Sequence, residues 1–238
     1  LGSSYFYLEF LLAWIKLLQQ SGFRNPAILS LEYTLVPDAI YPTQLNQAVA
    51  AYRYAFSIMN DDSSHICVSG DSAGGTLVLS LILRLRDSKR LQKPGLAVLV
   101  SPWVTIDSDI HTNTRSDYLD ASTLHHYGAQ YLNKIAIPTE ESLASPGSCR
   151  NLQVWKAASP TQGWIITWGG EEMLRTDISG LVNRLEKAGL QVLALEAKGG
   201  IHAWPVAALY LGESMERRLQ GLQSLVQGIR ERMVSQID

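Results

Sequence analysis

The sequence has 238 residues, 46% of them apolar, and a formal charge of −2, enough to bury one sizeable core in a single domain of ordinary α/β size. Lys and Arg are scattered rather than clustered, which argues against an electrostatic footprint for nucleic acid or an anionic membrane surface. Cys67 and Cys149 are the two cysteines; they stand in no CxxC or Cys/His spacing, so neither a redox framework nor a zinc site is expected.

Taken in chain order, the apolar opening Tyr5 to Leu18 is broken by Glu9 and Lys16 and predicts a buried helix rather than a membrane span or a signal. Leu1 rather than Met stands first, which leaves any upstream targeting segment out of view and the compartment open. Ala27 to Glu32 predicts a first strand. After the turns at Pro37 and Pro42, Thr43 to Met59 predicts a helix. His65 to Ser69 predicts a second, buried strand containing Cys67, and Gly75 to Arg86, apolar almost all round, predicts a helix buried against a sheet. Leu96 to Ser101 predicts the third strand. The alternation then fails: from Trp103 to about Pro160 the chain is rich in Asp, Ser, Thr and Asn, too long for a plain connection, and reads as a lid or cap inserted into the domain. Within it Leu124, Tyr127, Tyr131 and Leu132 share one helical face. Trp164 to Thr167 and Leu190 to Leu195 predict the last strands, with a helix from Ile178 to Ala188 between them that stops at Gly189. From Glu213 onward, Met215, Leu219, Leu222, Val226, Ile229 and Met233 recur at steps of four and three, a stripe that packs on the sheet and leaves a homodimer role open. Strands alternating with helices predict a mostly parallel sheet with helices on both faces.

The chemistry starts at Gly70-Asp71-Ser72-Ala73-Gly74-Gly75, a GxSxG turn between a predicted strand and a predicted helix. The strained turn lifts Ser72 Oγ above the sheet, and side chains at Gly70 or Gly74 are expected to clash with the neighbouring strand and helix. The Ala73 N–H and the positive end of the following helix could then meet a developing oxyanion. A serine needs a base and an acid, in the order Ser, Asp or Glu, His. His202, in Gly199-Gly200-Ile201-His202-Ala203-Trp204-Pro205, follows the last strand and would overhang its carboxyl edge. His65 fits a solvated strand end; His111, His125 and His126 lie in the insertion, and the last two diverge by about 100° on a helix and could not share one metal. For the acid, Glu171, Glu172 and Asp177 compete. Asp177 is placed to cap the helix at Ile178, and Glu172 is favoured, to accept the Nδ1–H of His202 and leave Nε2 free for the serine proton.

These motifs resemble the hormone-sensitive-lipase-like branch of the α/β-hydrolases. Besides GDSAGG at Gly70 to Gly75, Tyr33-Thr34-Leu35-Val36-Pro37 looks like the family's tyrosine, leucine, proline phrase before the elbow, and Ser101-Pro102-Trp103 looks like the phrase after its next strand. Glu172-Met173-Leu174-Arg175 matches its acid phrase with Glu for Asp and Met for Pro, and His-Ala-Trp-Pro at His202 looks most like a branch common in fungi. The resemblance spans essentially the whole chain. It implies an α/β-hydrolase fold, a small-molecule carboxylic ester as substrate with a short or medium acyl group, and no metal or organic cofactor. It also implies an HGGG-type oxyanion loop, which this sequence lacks: Leu1-Gly2-Ser3-Ser4 looks like the stretch just past it, as in a chain incomplete at its N-terminus. The strand leading into that loop would lie between Ala27–Glu32 and His65–Ser69. Little activity is therefore expected of residues 1 to 238 alone. Two rivals stay open: a non-catalytic binding protein of the same fold, like the plant gibberellin receptors of this family, and an amidase or peptidase using the same triad.

Overall fold

The computed structural model describes residues 5–133 and 141–233. In chain order its elements are α1 (Leu8–Gln20), α2 (Thr43–Ile58), β1 (Cys67–Asp71), α3 (Ala73–Leu85), β2 (Leu96–Val100), α4 (Ala121–Leu132), α5 (Glu141–Ala144), α6 (Leu152–Ala158), β3 (Trp164–Gly169), α7 (Arg175–Lys187), β4 (Val192–Ala197), α8 (Trp204–Leu211) and α9 (Met215–Met233). The four strands pair in the order β1-β2-β3-β4, all parallel, with Asp71 opposite Val100, Val100 opposite Thr167 and Thr167 opposite Leu195. Parallel neighbours need long crossovers. Here α3, the segment from Ser101 to Gly163, and α7 supply them, so all four strands end at one edge.

Every residue of β2 and β3 is buried, while β1 and β4 are partly exposed, the pattern of a parallel sheet covered on both faces. Side chains alternate between faces along a strand. Ala97, Leu99, Trp164 and Ile166 enter a core with α3, α7 and the insertion, and Leu96, Val98, Val100 and Ile165 enter a second with α1, α8 and α9. Most of the expected tail stripe packs on the sheet: Leu222, Val226, Ile229 and Met233 are buried and Leu219 is partly buried, while Met215, at the start of α9, is exposed. A Cβ at Gly228 would meet Leu193 Cδ2 at 2.7 Å and Ile165 Cδ1 at 3.0 Å, so the absent side chain lets α9 lie close on the sheet.

Three expectations need correction. Ala27 to Glu32 is not a sheet strand: it joins no ladder among the described residues, and the outer edge of β1 stays unpaired there, because β-propensity alone does not make a strand without tertiary pairing. Helix α1 is not buried all round; Phe10 and Trp14 face the core while Leu8 and Leu12 are half exposed, so its apolar residues exceed what the core accepts. Helix α7 starts at Arg175 with Leu174 at its N-cap, which puts Asp177 in the first turn rather than at the cap. The segment 103–160 contributes Trp103, Val104, Ile106, Leu124, Trp155 and Ala158 to the same core as the sheet.

Candidate active site

At the end of β1 the chain reverses through Ser72, whose φ of 49° and ψ of −119° are sparsely populated by L-residues and cost roughly 1–3 kcal/mol. The neighbouring strand end holds it there: the Ser72 N–H donates to Val100 O at 3.0 Å, and Ser72 O accepts the Trp103 N–H at 2.9 Å. The glycines act differently from the expectation. A Cβ at Gly70 would lie 2.4 Å from the Gly74 carbonyl carbon, and one at Gly75 would lie 2.7 Å from Pro102 Cβ. At Gly74 the nearest atom is 3.9 Å away, so that position has room for a methyl group. The crowding that Gly70 relieves is against the Gly74 backbone, and the second obligatory glycine is Gly75. Ala73 opens α3, where a backbone N–H has no intrahelical acceptor and the helix dipole is positive.

Glu172 and His202 follow β3 and β4 and are both buried, at 3% and 2% exposure. Glu172 Oε2 accepts the Ser101 hydroxyl at 2.6 Å and the Gly169 N–H at 2.7 Å. Glu172 Oε1 lies 3.6 Å from His202 Nδ1, and neither atom has another hydrogen-bond partner among the described residues. That distance is just beyond a hydrogen bond. The His202 loop folds back across β3. Glu171 N–H donates to Gly200 O at 2.9 Å, and Ala203 N–H donates to Ser101 Oγ at 2.9 Å. A Cβ at Gly169 would sit 2.3 Å from Gly200 O, so the two loops touch backbone to backbone. Because Ser101 follows β2 and β2 neighbours β1, this return brings His202 toward the strand end that carries Ser72. Ser72, Ser101 and Ala203 are three of the six non-glycine residues with positive φ among the described residues, and such strain concentrates at functional sites.

The other candidate carboxylates and histidines stand apart from the Glu172–His202 pair. Glu171 is exposed, Asp177 Oδ2 lies 3.0 Å from the Nε2 of buried His111, His65 pairs with Asp62 at the surface, and His125 pairs with Asp107. Four residues at this edge escaped sequence reasoning in any role of their own. Ser101 bridges Glu172 and Ala203; its sequence signals are its place directly after a strand and in the Ser101-Pro102-Trp103 phrase, neither of which gives it this role. Asp117, from the insertion, bonds both loops. The largely exposed Tyr118 ring stands edge-on to His202 with centroids 5.8 Å apart. Tyr7 donates to Asp71 Oδ2 at 2.6 Å, beside the Ser72 turn, and burial followed by that carboxylate raises its pKa. For Asp117, Tyr118 and Tyr7 no local pattern exists, since their partners are distant in sequence. The described residues hold no cluster of three or more His, Cys, Asp or Glu able to bind a metal. Two surface grooves, of about 620 Å³ between α1 and α9 and about 970 Å³ between α2 and the end of α3, are not lined by Ser72, Glu172 or His202.

A family model described as the alpha/beta hydrolase fold matches residues 24–206. The chain belongs to that family. Among its α/β-hydrolase relatives, a Schizosaccharomyces pombe protein provisionally named steryl acetyl hydrolase, mug81, is 27% identical over 84% of this chain and 54% of its own length. An acetyl-hydrolase of Streptomyces hygroscopicus is 29% identical over 75% of this chain and 57% of its own. The chain thus spans about half the length of these relatives. The solved structure of an esterase from the bacterial hormone-sensitive lipase family superposes with a TM-score of 0.69 at 26% identity, covering 85% of this chain and 65% of that one. The branch that the motifs resemble is therefore the branch in which the relatives fall. No helix among the described residues is long and apolar enough to cross a membrane.

Proposed function

We propose that the protein hydrolyses carboxylic esters through an acyl-enzyme. Ser72 Oγ attacks the ester carbonyl while His202 Nε2 takes its proton; Glu172, facing Nδ1, orients the imidazole and stabilises its charged form. The carbonyl oxygen becomes an oxyanion to which Ala73 N–H supplies one hydrogen bond. His202 then protonates the leaving alcohol as its C–O bond breaks. Water, deprotonated by His202, attacks the acyl carbonyl, and Ser72 leaves with its proton restored. The observation that carries this reading is the buried, otherwise unpartnered pairing of Glu172 Oε1 with His202 Nδ1 at 3.6 Å, beside a strained serine turn. The acetyl-hydrolase names of the relatives support a short acyl group. The insertion leaves the sheet at the carboxyl end of β2, where ligands of open α/β sheets bind, and its Tyr118 reaches the histidine, which supports a role as part of a lid.

The test is a fluorophosphonate probe applied to the natural protein, with the adduct mapped by mass spectrometry and turnover followed on nitrophenyl acetate, butyrate and octanoate. The label is expected on Ser72, with Ser72→Ala both unlabelled and inactive and the shorter esters preferred. A label on another serine, with Ser72→Ala still active, overturns the triad.

A further inference from the structure

The part of the insertion that meets the active edge is a short, self-braced loop. Asn113 Nδ2 donates to Asp120 Oδ1 at 2.9 Å and Asn113 Oδ1 accepts the Ala121 N–H at 2.7 Å, closing the loop onto the start of α4, where Asp120 caps the helix through the Thr123 N–H. Inside the loop the Asp117 N–H donates to Thr114 Oγ1 at 3.0 Å, and that hydroxyl donates to Glu171 O at 3.0 Å. The half-buried Asp117 is thus anchored before its side chain reaches anything.

Its carboxylate then spans the two loops of the proposed acid and base. Oδ2 accepts the Met173 N–H at 2.9 Å, from the residue beside Glu172, and Oδ1 accepts the backbone N–H of His202 itself at 3.0 Å. Charge-assisted bonds to backbone N–H groups are among the stronger kinds. The other ties between these loops come from the sheet's own edge: Ser101 Oγ, bonded to both Glu172 and Ala203, and the backbone bond from Glu171 to Gly200. Among the described residues, Asp117 is the side chain of the insertion that bonds both loops. Oδ1 also accepts the neighbouring Tyr118 N–H at 3.0 Å. A carboxylate is short and planar, so when both oxygens are occupied it fixes the spacing of the donors on the two loops.

On the triad reading above, we propose that Asp117 is a positioning residue through which the insertion sets the alignment of Glu172 with His202. It touches neither substrate nor reacting atoms. Without it, the two backbone N–H groups lose their shared acceptor and the acid and base loops can separate. The Glu172–His202 distance is already at 3.6 Å, so a small outward drift removes the contact altogether, and a misplacement near 1 Å costs on the order of a hundredfold in rate.

The experiment compares Asp117→Ala and Asp117→Asn with wild type in the natural protein. It measures the rate constant for fluorophosphonate labelling, kcat and KM per titrated site on a short nitrophenyl ester, and the melting temperature. For Asp117→Ala the expected result is a fall of about ten- to a hundredfold in kcat and in labelling rate, with KM changed by less than about threefold. Asp117→Asn keeps the shape and one acceptor oxygen and should fall between the two. Equal kcat per titrated site in wild type and both variants overturns the proposal, even if the yield of titratable protein falls, because the role is then structural alone. If Asp117→Ala does not fold, Asp117→Asn decides; if neither folds, the residue serves the fold and the proposal fails. A wild type unlabelled at Ser72, or an active Ser72→Ala, overturns the triad reading first and this inference with it, which separates the two failures.

Discussion

At the scale of single residues, the site depends on two buried polar groups that face each other. Glu172 has one oxygen doubly bonded to its own surroundings, Ser101 and Gly169, and one turned to His202. Replacing that carboxylate by an amide keeps the volume but presents no charge to an imidazolium. Glu172→Gln is therefore expected to lower kcat by roughly a thousandfold or more in the natural protein. Asp177→Asn should leave kcat within about tenfold, because Asp177 bonds His111 instead, and the loss of one such bond costs about 1–3 kcal/mol of stability. Steady-state kinetics on both variants, with melting temperatures, would check the ranking; a reversed order would move the acid to Asp177. His202 stood out in the sequence because it follows the last strand in the right chain order. Among three carboxylates within seven residues, spacing favoured Glu172 only weakly, since burial and direction decide which one meets the histidine.

At the scale of elements, the Ser72 turn is a packing problem between the end of β1 and the start of α3. The sequence pattern points to the turn but misassigns its second tight glycine. Gly70 presses on the backbone of Gly74, and Gly75 on Pro102, and neither backbone nor a proline ring can swing aside. Gly70→Ala and Gly75→Ala are thus expected to cost about 1–3 kcal/mol or more by overpacking. Gly74→Ala, in open space within a helix, should be neutral or stabilising by up to about 1 kcal/mol. Thermal melts of the three variants test this; a Gly74→Ala protein as damaged as Gly70→Ala would show that the turn differs from the one described. Ala27 to Glu32 shows the limit of composition, which predicts a strand where the segment joins no ladder among the described residues.

At the scale of the whole molecule, β2 and β3 form a spine shared by both large cores, one under α3, α7 and the insertion and one under α1, α8 and α9. Loosening either core should therefore reach the active edge through the strands. Leu225, fully buried in α9, tests the coupling: Leu225→Ala is expected to cost about 2–5 kcal/mol, a fall of roughly 5–15 °C in melting temperature for a domain of this size. Circular dichroism should show one cooperative transition moved as a unit. Two separated transitions would mean that the sheet does not join the cores.

What the sequence determined by itself was everything written in local periodicity and chain order: the alternation of strands and helices, the parallel sheet, the elbow at Ser72, the amphipathic tail and the candidate histidine. These are legible because a helix or a strand repeats within a few residues and the GxSxG turn is a contiguous constraint. Tertiary structure alone decided the rest: which carboxylate is buried beside His202, that Ser101 ties the two loops together, that Asp117 of the insertion reaches both, and that α1 leaves half its apolar face outside. Each of these depends on groups far apart in sequence being brought together by the fold, and no local pattern encodes a partner that the chain reaches only after it has folded.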